Sequence, residues 1–525
     1  MYNFEVSSAN LNENVLIAWH HNTFPHAEAV LQVATEIISM GSNPIILDLT
    51  KQLPLYQNSI SKYLSKKFDR LHRQAPNHAL REESSNLSIS LIQPRNNKRL
   101  SLLIRTLLMQ IRISGTAKEL EIDTRWGDLG SALASDLVTQ IALDEYASVS
   151  RNPFGAFRSI RAFLVNEKLT KDVLSTLKIA SVVVFNGRLC PHSGVWSAAK
   201  SSNLNVYFYE VGAGPYYFFE SFRPHDRNRI QEKSRAAFEN LGELEKERLA
   251  IDFRDRRTVT SLNRFLELQL PSAGEPVLDI SPTVRVAVIY TSSPEELIGV
   301  GASWENFGWE NQYEAIRATV ARLEFLGFKV VIRIHPNIAN KSWREFNRAM
   351  RAFRDLSCPV LLPYDQVNSY DLLESASIVV VWRSTIGLEA SALGKPTYCL
   401  NPTRYDLTAD VKTIHNSENL KEEVFPIYEV DAKKVMPAIF WSNSLGFSHR
   451  RDLSDNWEEL KENFYKDRRI FMKINRLFLL IDDFIDIKER PTNLFRLIRI
   501  ALGKKKTQNI IRRLYGYESF RQNIL

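Results

Sequence analysis

Six short runs rich in β-branched or aromatic residues in this 525-residue chain end in side chains that could bind or transform a ligand. His20, His21 and His26 follow Asn14–Trp19, Asn186 and Arg188 follow Ile179–Phe185, and Glu210 follows Asn205–Tyr209. Further on, Ser292 and Ser293 follow Val284–Tyr290, His335 follows Phe328–Ile334, and Arg383, Ser384 and Thr385 follow Ser377–Trp382. Hydroxyl, imidazole and guanidinium groups donate to anionic oxygens, and a carboxylate held at a strand end has the placement of a general base. Strand ends matter because ligands of open α/β sheets sit beyond the carboxyl ends of the strands.

The densest group lies between Phe328 and Asn401, which reads strand, helix, strand, helix, strand, helix, strand. Pro336 stops the first strand and biases His335 towards extended backbone. Arg383-Ser384-Thr385 turns into Ile386-Gly387-Leu388-Glu389-Ala390, a short helix closed by Gly394. A helix start presents unpaired N–H groups and partial positive charge to phosphate. Ser384 and Thr385 add hydroxyls there, His335 an imidazole, and Arg333 and Arg383 charge, while Glu389 is placed to accept from ribose hydroxyls. The loop Thr291–Glu296 brings Ser292 and Ser293 towards a nucleotide. A plainer reading also fits, in which Ser384 or Thr385 only caps the helix and His335 is a turn histidine. Their joint occurrence at strand ends of one α/β unit favours a phosphate site.

The N-terminal half opens as a βαβ unit over Asn14–Leu49 without a G-x-G-x-x-G fingerprint, which argues against a dinucleotide cofactor. Three histidines within seven positions invite a metal, but no acidic partner or i,i+4 pair accompanies them. Acceptor-side or structural roles remain for His20 and His21. Ile179–Phe185 breaks at Asn186-Gly187-Arg188, a helix is expected over Gly194–Ser201, and Asn205–Tyr209 leads into Glu210-Val211-Gly212. Asn186, Arg188 and Glu210 should therefore line one sheet edge. Glu210 reads either as a general base or as a residue that caps its turn or pairs with Arg188. Between 51 and 150, Arg95–Arg105 is basic and Trp126–Ala147 has helical spacing, with no chemistry assigned.

His335-Pro336 after a strand, followed by Ser384-Thr385-x-Gly387-x-Glu389-Ala390 and Gly394-Lys395-Pro396, resembles the C-terminal domain of GT-B glycosyltransferases. The nearer likeness is to bacterial capsule and surface-polysaccharide transferases of Kdo-, sialyl- and glycerophosphate-transferring types. It covers roughly Val284–Asn401 and extends to Glu210-x-Gly212, which is similar to an acidic-x-Gly element of the sialyl and Kdo types, with Val211 where some carry a second acidic residue. The resemblance implies two Rossmann-like domains facing across a cleft, a nucleotide-sugar donor in the second, a glycan or lipid-linked acceptor in the first, and no metal or other cofactor. It also implies glycosyl transfer with Glu210 and His335 as catalytic groups. A nucleotide-sugar 2-epimerase, a CDP-polyol glycerophosphate transferase and a scaffold without catalysis share that layout.

Composition bounds these readings. A chain of this length should hold at least two domains, here expected at 1–268 and 283–450, with a proline-rich linker at 269–282 and a helical extension over 451–525. Three widely spaced cysteines, Cys190, Cys358 and Cys399, point to a reducing cytosol rather than a disulfide framework. The opening residues carry no signal-peptide pattern, and no apolar run approaches a spanning length. Of the net charge of +8, residues 485–525 supply +7 through ten Lys/Arg and three Asp/Glu, so the bulk is nearly neutral and nucleic-acid binding is not expected. Within that tail, Leu494, Leu497, Ile498, Ala501 and Leu502 share a helical face, with Arg496 and Arg499 opposite and Lys504–Lys506, Arg512 and Arg513 following. Residues 491–515 are therefore expected either at an anionic membrane surface or packed on the protein with the basic face in water.

Overall fold

The computed structural model describes residues 13–21, 23–52, 74–94, 99–139, 148–249, 284–293, 298–301, 304, 308–341, 343–365, 367–454, 457–459, 461–463, 465–466 and 491–517. The linker expected at 269–282 and residues 467–490 of the helical extension expected over 451–525 lie outside them. By its internal contacts the chain divides into two compact units. One comprises Met1–Asp226, Leu297–Gly301 and Ser444–Asp482, the other Arg227–Glu296, Ala302–Asn443 and Asp483–Leu525.

In the first unit, β1 (Asn14–Trp19), β2 (Asn43–Asp48), β3 (Ser90–Ile92), β4 (Ser181–Phe185) and β5 (Asn205–Glu210) are parallel, in the order β5-β4-β1-β2-β3. An antiparallel strand β6 (Tyr216–Glu220) extends this sheet beside β5, and the two-residue strand Ser448–His449 pairs with β6 in turn. The strand Tyr216–Glu220 is not among the elements expected from the sequence. Every residue of β4 is buried, as expected of a strand covered on both faces. The helix Cys190–Ser201 starts one turn earlier than expected, with Pro191 in its first turn, where the missing N–H has no partner to lose.

The second unit is an all-parallel sheet of β7 (Val286–Tyr290), β8 (Lys329–Arg333), β9 (Val360–Leu361), β10 (Ile378–Val381), β11 (Thr397–Cys399) and β12 (Lys412–Thr413). Its order β9-β8-β7-β10-β11-β12 is the doubly wound order 3-2-1-4-5-6. Strand alternation sends Ala287, Ile289, Val330, Ile332, Ile378 and Val380 into one core and Val286, Val288, Val331, Val379 and Val381 into the other. Both faces being covered explains why these strands read as unbroken apolar runs. The helix Gln312–Phe325 supplies part of the first cover. Asn311 Oδ1 caps it by accepting from the N–H groups of Tyr313 and Glu314, and Gly327, at φ +79°, ends it.

The basic tail forms two helices, Pro491–Leu502 and Lys504–Leu514. They belong to the second unit, where Phe495, Ile511 and Tyr515 enter the core and Ile498 packs against it. Arg512, expected among the lipid-facing cations, is instead buried and paired with the buried carboxylate of Asp365, which also accepts from Gln508. Lys506, Arg513, Leu502 and Leu514 remain exposed. No helix among the described residues is long and apolar enough to cross a membrane.

Candidate functional site

In the second unit the sheet order places the topological switch point between β7 and β10, where crossovers depart in opposite directions. Three loops meet there and are tied together by consecutive hydroxyl residues. Thr291 Oγ1 accepts from the His335 backbone N–H at 2.8 Å, Ser292 Oγ from the Arg383 N–H at 3.1 Å, and Ser293 Oγ from Asn337 Nδ2 at 3.3 Å. The N–H of Ser292 donates to Gln312 Oε1 at 3.2 Å, anchoring the central loop to the helix behind it. His335 Nδ1 accepts from the Asn337 N–H at 3.1 Å, so the neutral ring carries its proton on Nε2, as a donor.

The turn after β10 is held from below. Tyr405 Oη donates to the Ser384 carbonyl at 2.7 Å, an approach that Gly387 permits: a Cβ there would lie 2.2 Å from that hydroxyl. Thr385 is exposed and Ser384 half-buried at the start of the helix Ile386–Ala392. Arg383 Nη2 donates to the Trp304 carbonyl at 2.5 Å. Glu389 is buried in that helix. Arg333 lies beneath the loops, its guanidinium fully buried and donating to the Leu362 carbonyl, with burial lowering its pKa.

In the first unit the switch point lies between β1 and β4. Beyond β4, Asn186 takes a left-handed conformation at φ +55°, followed by Gly187 at φ +75°. A Cβ on Gly187 would lie 2.6 Å from the Phe208 ring, so this tight turn demands glycine. The turn aims Asn186 Nδ2 at Glu210 Oε2, 2.5 Å away, while Glu210 Oε1 accepts from the Val211 N–H at 3.0 Å. His225 Nε2 lies 3.0 Å from Asn186 Oδ1, and a proton donated there fixes which end of the amide faces the carboxylate. Burial pushes the Glu210 carboxyl up to about 7, against the opposing pull of the bonds from Asn186 and Val211. A carboxyl poised near neutrality is suited to general-base work. Arg188 turns elsewhere, donating to Ser135 Oγ at 2.5 Å and the Ile298 carbonyl at 3.0 Å. It lines a depression of about 240 Å³ together with Glu121, Asp128, Trp196 and Arg223.

The histidines after β1 assemble with a fourth. His20 is fully buried, edge-on to His192 at 4.7 Å between ring centroids, and His21 Nε2 lies 3.1 Å from His192 Nε2. His26 stacks at 4.5 Å from His21, and Phe185 touches His21, His26 and His192. Burial pushes His20 and His26 down to about 3 and His21 to about 4, and holds His192 well below its ordinary value. These rings are neutral at pH 7. Among the described residues no group of three His, Cys, Asp or Glu side chains is placed to hold a metal ion.

Sequence reading missed His192, His225, Asn337 and Tyr405. Cys190-Pro191-His192 follows β4 at a strand-to-helix turn, a signal of the kind used for Asn186. His225 lies just before the polar helix Arg227–Glu239, in a stretch whose local pattern carries no site signal.

No protein-family model and no curated protein matches this sequence. Among solved structures it is similar to the KpsC β-Kdo 2,4 transferase of Thermosulfurimonas dismutans, at 14% identity over 50% of this chain and 79% of that one, with a TM-score of 0.31. It is also similar to a Methanocaldococcus jannaschii UDP-GlcNAc 2-epimerase in complex with UDP-GlcNAc and UDP, at 13% identity over 86% and 99% of the two chains and a TM-score of 0.28. The spinosyn rhamnosyltransferase SpnG is a third, at 12% identity, 87% and 96% coverage and a TM-score of 0.23. Likenesses this distant carry no substrate, and the functional reading rests on the residues.

Proposed function

We propose that this protein is a glycosyltransferase that moves a sugar from a nucleotide-sugar donor to a hydroxyl of a bacterial surface-glycan acceptor. The observation that carries the reading is the braced Thr291–Ser293 loop, which holds His335 and the Arg383–Thr385 turn together at the switch point of an all-parallel sheet. Such a place suits the diphosphate of a nucleotide. His335 Nε2–H, the hydroxyls of Ser292, Ser293, Ser384 and Thr385 and the charge of Arg383 stabilise the departing phosphate, while Glu389 serves the ribose and Arg333 adds positive potential from below.

In the first unit Glu210 is the base. Its carboxylate takes the proton of the acceptor hydroxyl as that oxygen bonds to the anomeric carbon and the bond from that carbon to the phosphate breaks. Asn186 orients Glu210, and His21, which is partly exposed, belongs to the acceptor side, with the fully buried His20 supporting it and Arg188 lining the depression beside it. Charge on the leaving group is met by protein donors and cations, so the reading calls for no metal.

Thermal stabilisation by UDP, GDP, CMP and CDP identifies the donor base. Transfer from the matching sugar nucleotide to glycan fragments is then followed with wild type and with Glu210→Gln. The expected result is stabilisation by one nucleotide family and acceptor-dependent release of nucleotide, abolished in the variant. Epimerisation of the sugar nucleotide without acceptor, or full turnover by Glu210→Gln, overturns the reading.

A further inference from the structure

The helix Arg99–Arg112 presents a large apolar face to solvent. Its buried side, Leu102 and Thr106, packs towards the long helix Pro153–Thr176. On the other side Leu100, Ile104, Leu107, Leu108 and Ile111 are between 45% and 80% exposed. Spaced i, i+4, i+7, i+8 and i+11, they fall within roughly 100° of helical arc, a continuous stripe rather than scattered surface residues. Phe154 is 78% exposed, and its turn is tied to the same helix by Gln110 Nε2 donating to the Pro153 carbonyl at 2.7 Å. A contiguous aliphatic surface of this kind marks an interaction site.

Charge identifies the partner. Between Glu83 and Glu119 the sequence holds six Lys or Arg and no acidic residue. Arg105 and Arg112 are exposed along one border of the apolar stripe, and Arg105 makes only a loose 3.6 Å contact with Glu167. We propose that this helix lies in the interface of an anionic lipid bilayer, with its leucines and isoleucines among the acyl chains and its arginines at the headgroups. The pattern is that of an interfacial helix, whose binding combines buried apolar area with attraction to anionic lipid. A second copy of the chain is the poorer occupant. Two-fold pairing through this stripe sets the arginines of one copy against those of the other, and Glu167, the carboxylate beside Arg105, is already paired with Lys171 at 2.7 Å. The tail helices compete weakly for the same role, because Phe495, Ile511 and Tyr515 are already in the core of their own unit.

The test is vesicle flotation of the full chain with phosphatidylcholine alone and with phosphatidylcholine mixed with phosphatidylglycerol. Ile104→Glu with Ile111→Glu, and Arg105→Gln with Arg112→Gln, alter exposed side chains, and circular dichroism verifies their folding. Lys506→Gln with Arg513→Gln is the tail control. Wild type and the tail control are expected to float with the anionic vesicles only, and each helix pair should lower recovery about tenfold or more. Absence of wild-type flotation, equal recovery of the helix variants, or loss of flotation in the tail control alone overturns the proposal. So does concentration-dependent dimerisation of lipid-free wild type that Ile104→Glu with Ile111→Glu abolishes, which would assign the stripe to a second copy.

Discussion

The proposed role of Glu210 as the base can be tested through its titration. Because its carboxyl sits near 7 instead of the ordinary 4.5, the activity of wild type should rise through an acid limb near pH 7, where the base becomes free to accept a proton. Removing the Asn186 donor withdraws a bond that favours the carboxylate, so Asn186→Ala should move that limb to higher pH while leaving nucleotide affinity alone. The same shift has a stability consequence of definite sign. A carboxyl whose pKa is raised on folding contributes stability that is fully present below about pH 4.5 and is lost as pH rises through 7. Glu210→Gln does not titrate, so its stability relative to wild type should grow between pH 4.5 and 8, by up to about 3 kcal/mol. Denaturant unfolding of both proteins at the two pH values measures this. In the second unit, His335→Ala removes the Nε2 donor and should weaken nucleotide binding by about 1.5–3 kcal/mol in a folded protein. Calorimetric titration checks it, and unchanged affinity would separate His335 from the nucleotide.

At the scale of elements, the turn after β10 and the tail make contrasting predictions. Gly387 leaves room for the Tyr405 hydroxyl beneath the Ser384 carbonyl. Gly387→Ala should push that hydroxyl aside and displace the turn, lowering nucleotide affinity. Tyr405→Phe, which deletes the bond without adding bulk, should have the smaller effect, and comparing the two affinities separates displacement from hydrogen bonding. The tail helix Lys504–Leu514 is stitched into its unit by Arg512 and Asp365. Burial raises the pKa of Asp365, and Arg512 opposes that rise. Arg512→Ala leaves a buried carboxylate without its nearest partner and should destabilise the protein by about 3–5 kcal/mol. Lys506→Ala, on the exposed side, should leave the unfolding midpoint nearly unchanged.

At the scale of the molecule, the four neutral histidines make the first unit sensitive to acid. Each is depressed from the ordinary 6.5, so its contribution to stability is fully present above that pH and is lost as pH falls below it. Each ring can change stability by up to about 1.4 kcal/mol per pH unit in that window. Unfolding should therefore steepen between pH 6 and 4. Replacing the fully buried His20 with Gln should flatten the dependence, read from midpoints across that range.

The sequence by itself determined most of the strands and the switch-point loops, because β-branched runs ending at Pro336, Gly187 or Ser384 are local signals. Ser292, Ser293, His335, Arg383, Ser384 and Thr385 could be named from their positions after such runs, as could Asn186 and Glu210. What the sequence left undetermined was which way each side chain points and what meets it from far along the chain. Arg333 and Arg383 look alike in one dimension, but the first is buried under the loops and the second reaches Trp304. His225 reaches Asn186 across 39 positions, and His192 reaches His21 across 171. The two amphipathic basic segments differ in the same way. Helical periodicity marks an apolar face on each, but only tertiary packing decides that Phe495 and Ile511 fill a core while Ile104 and Ile111 remain in solvent. Periodicity is a property of neighbouring residues, whereas burial depends on which distant surface comes to cover them.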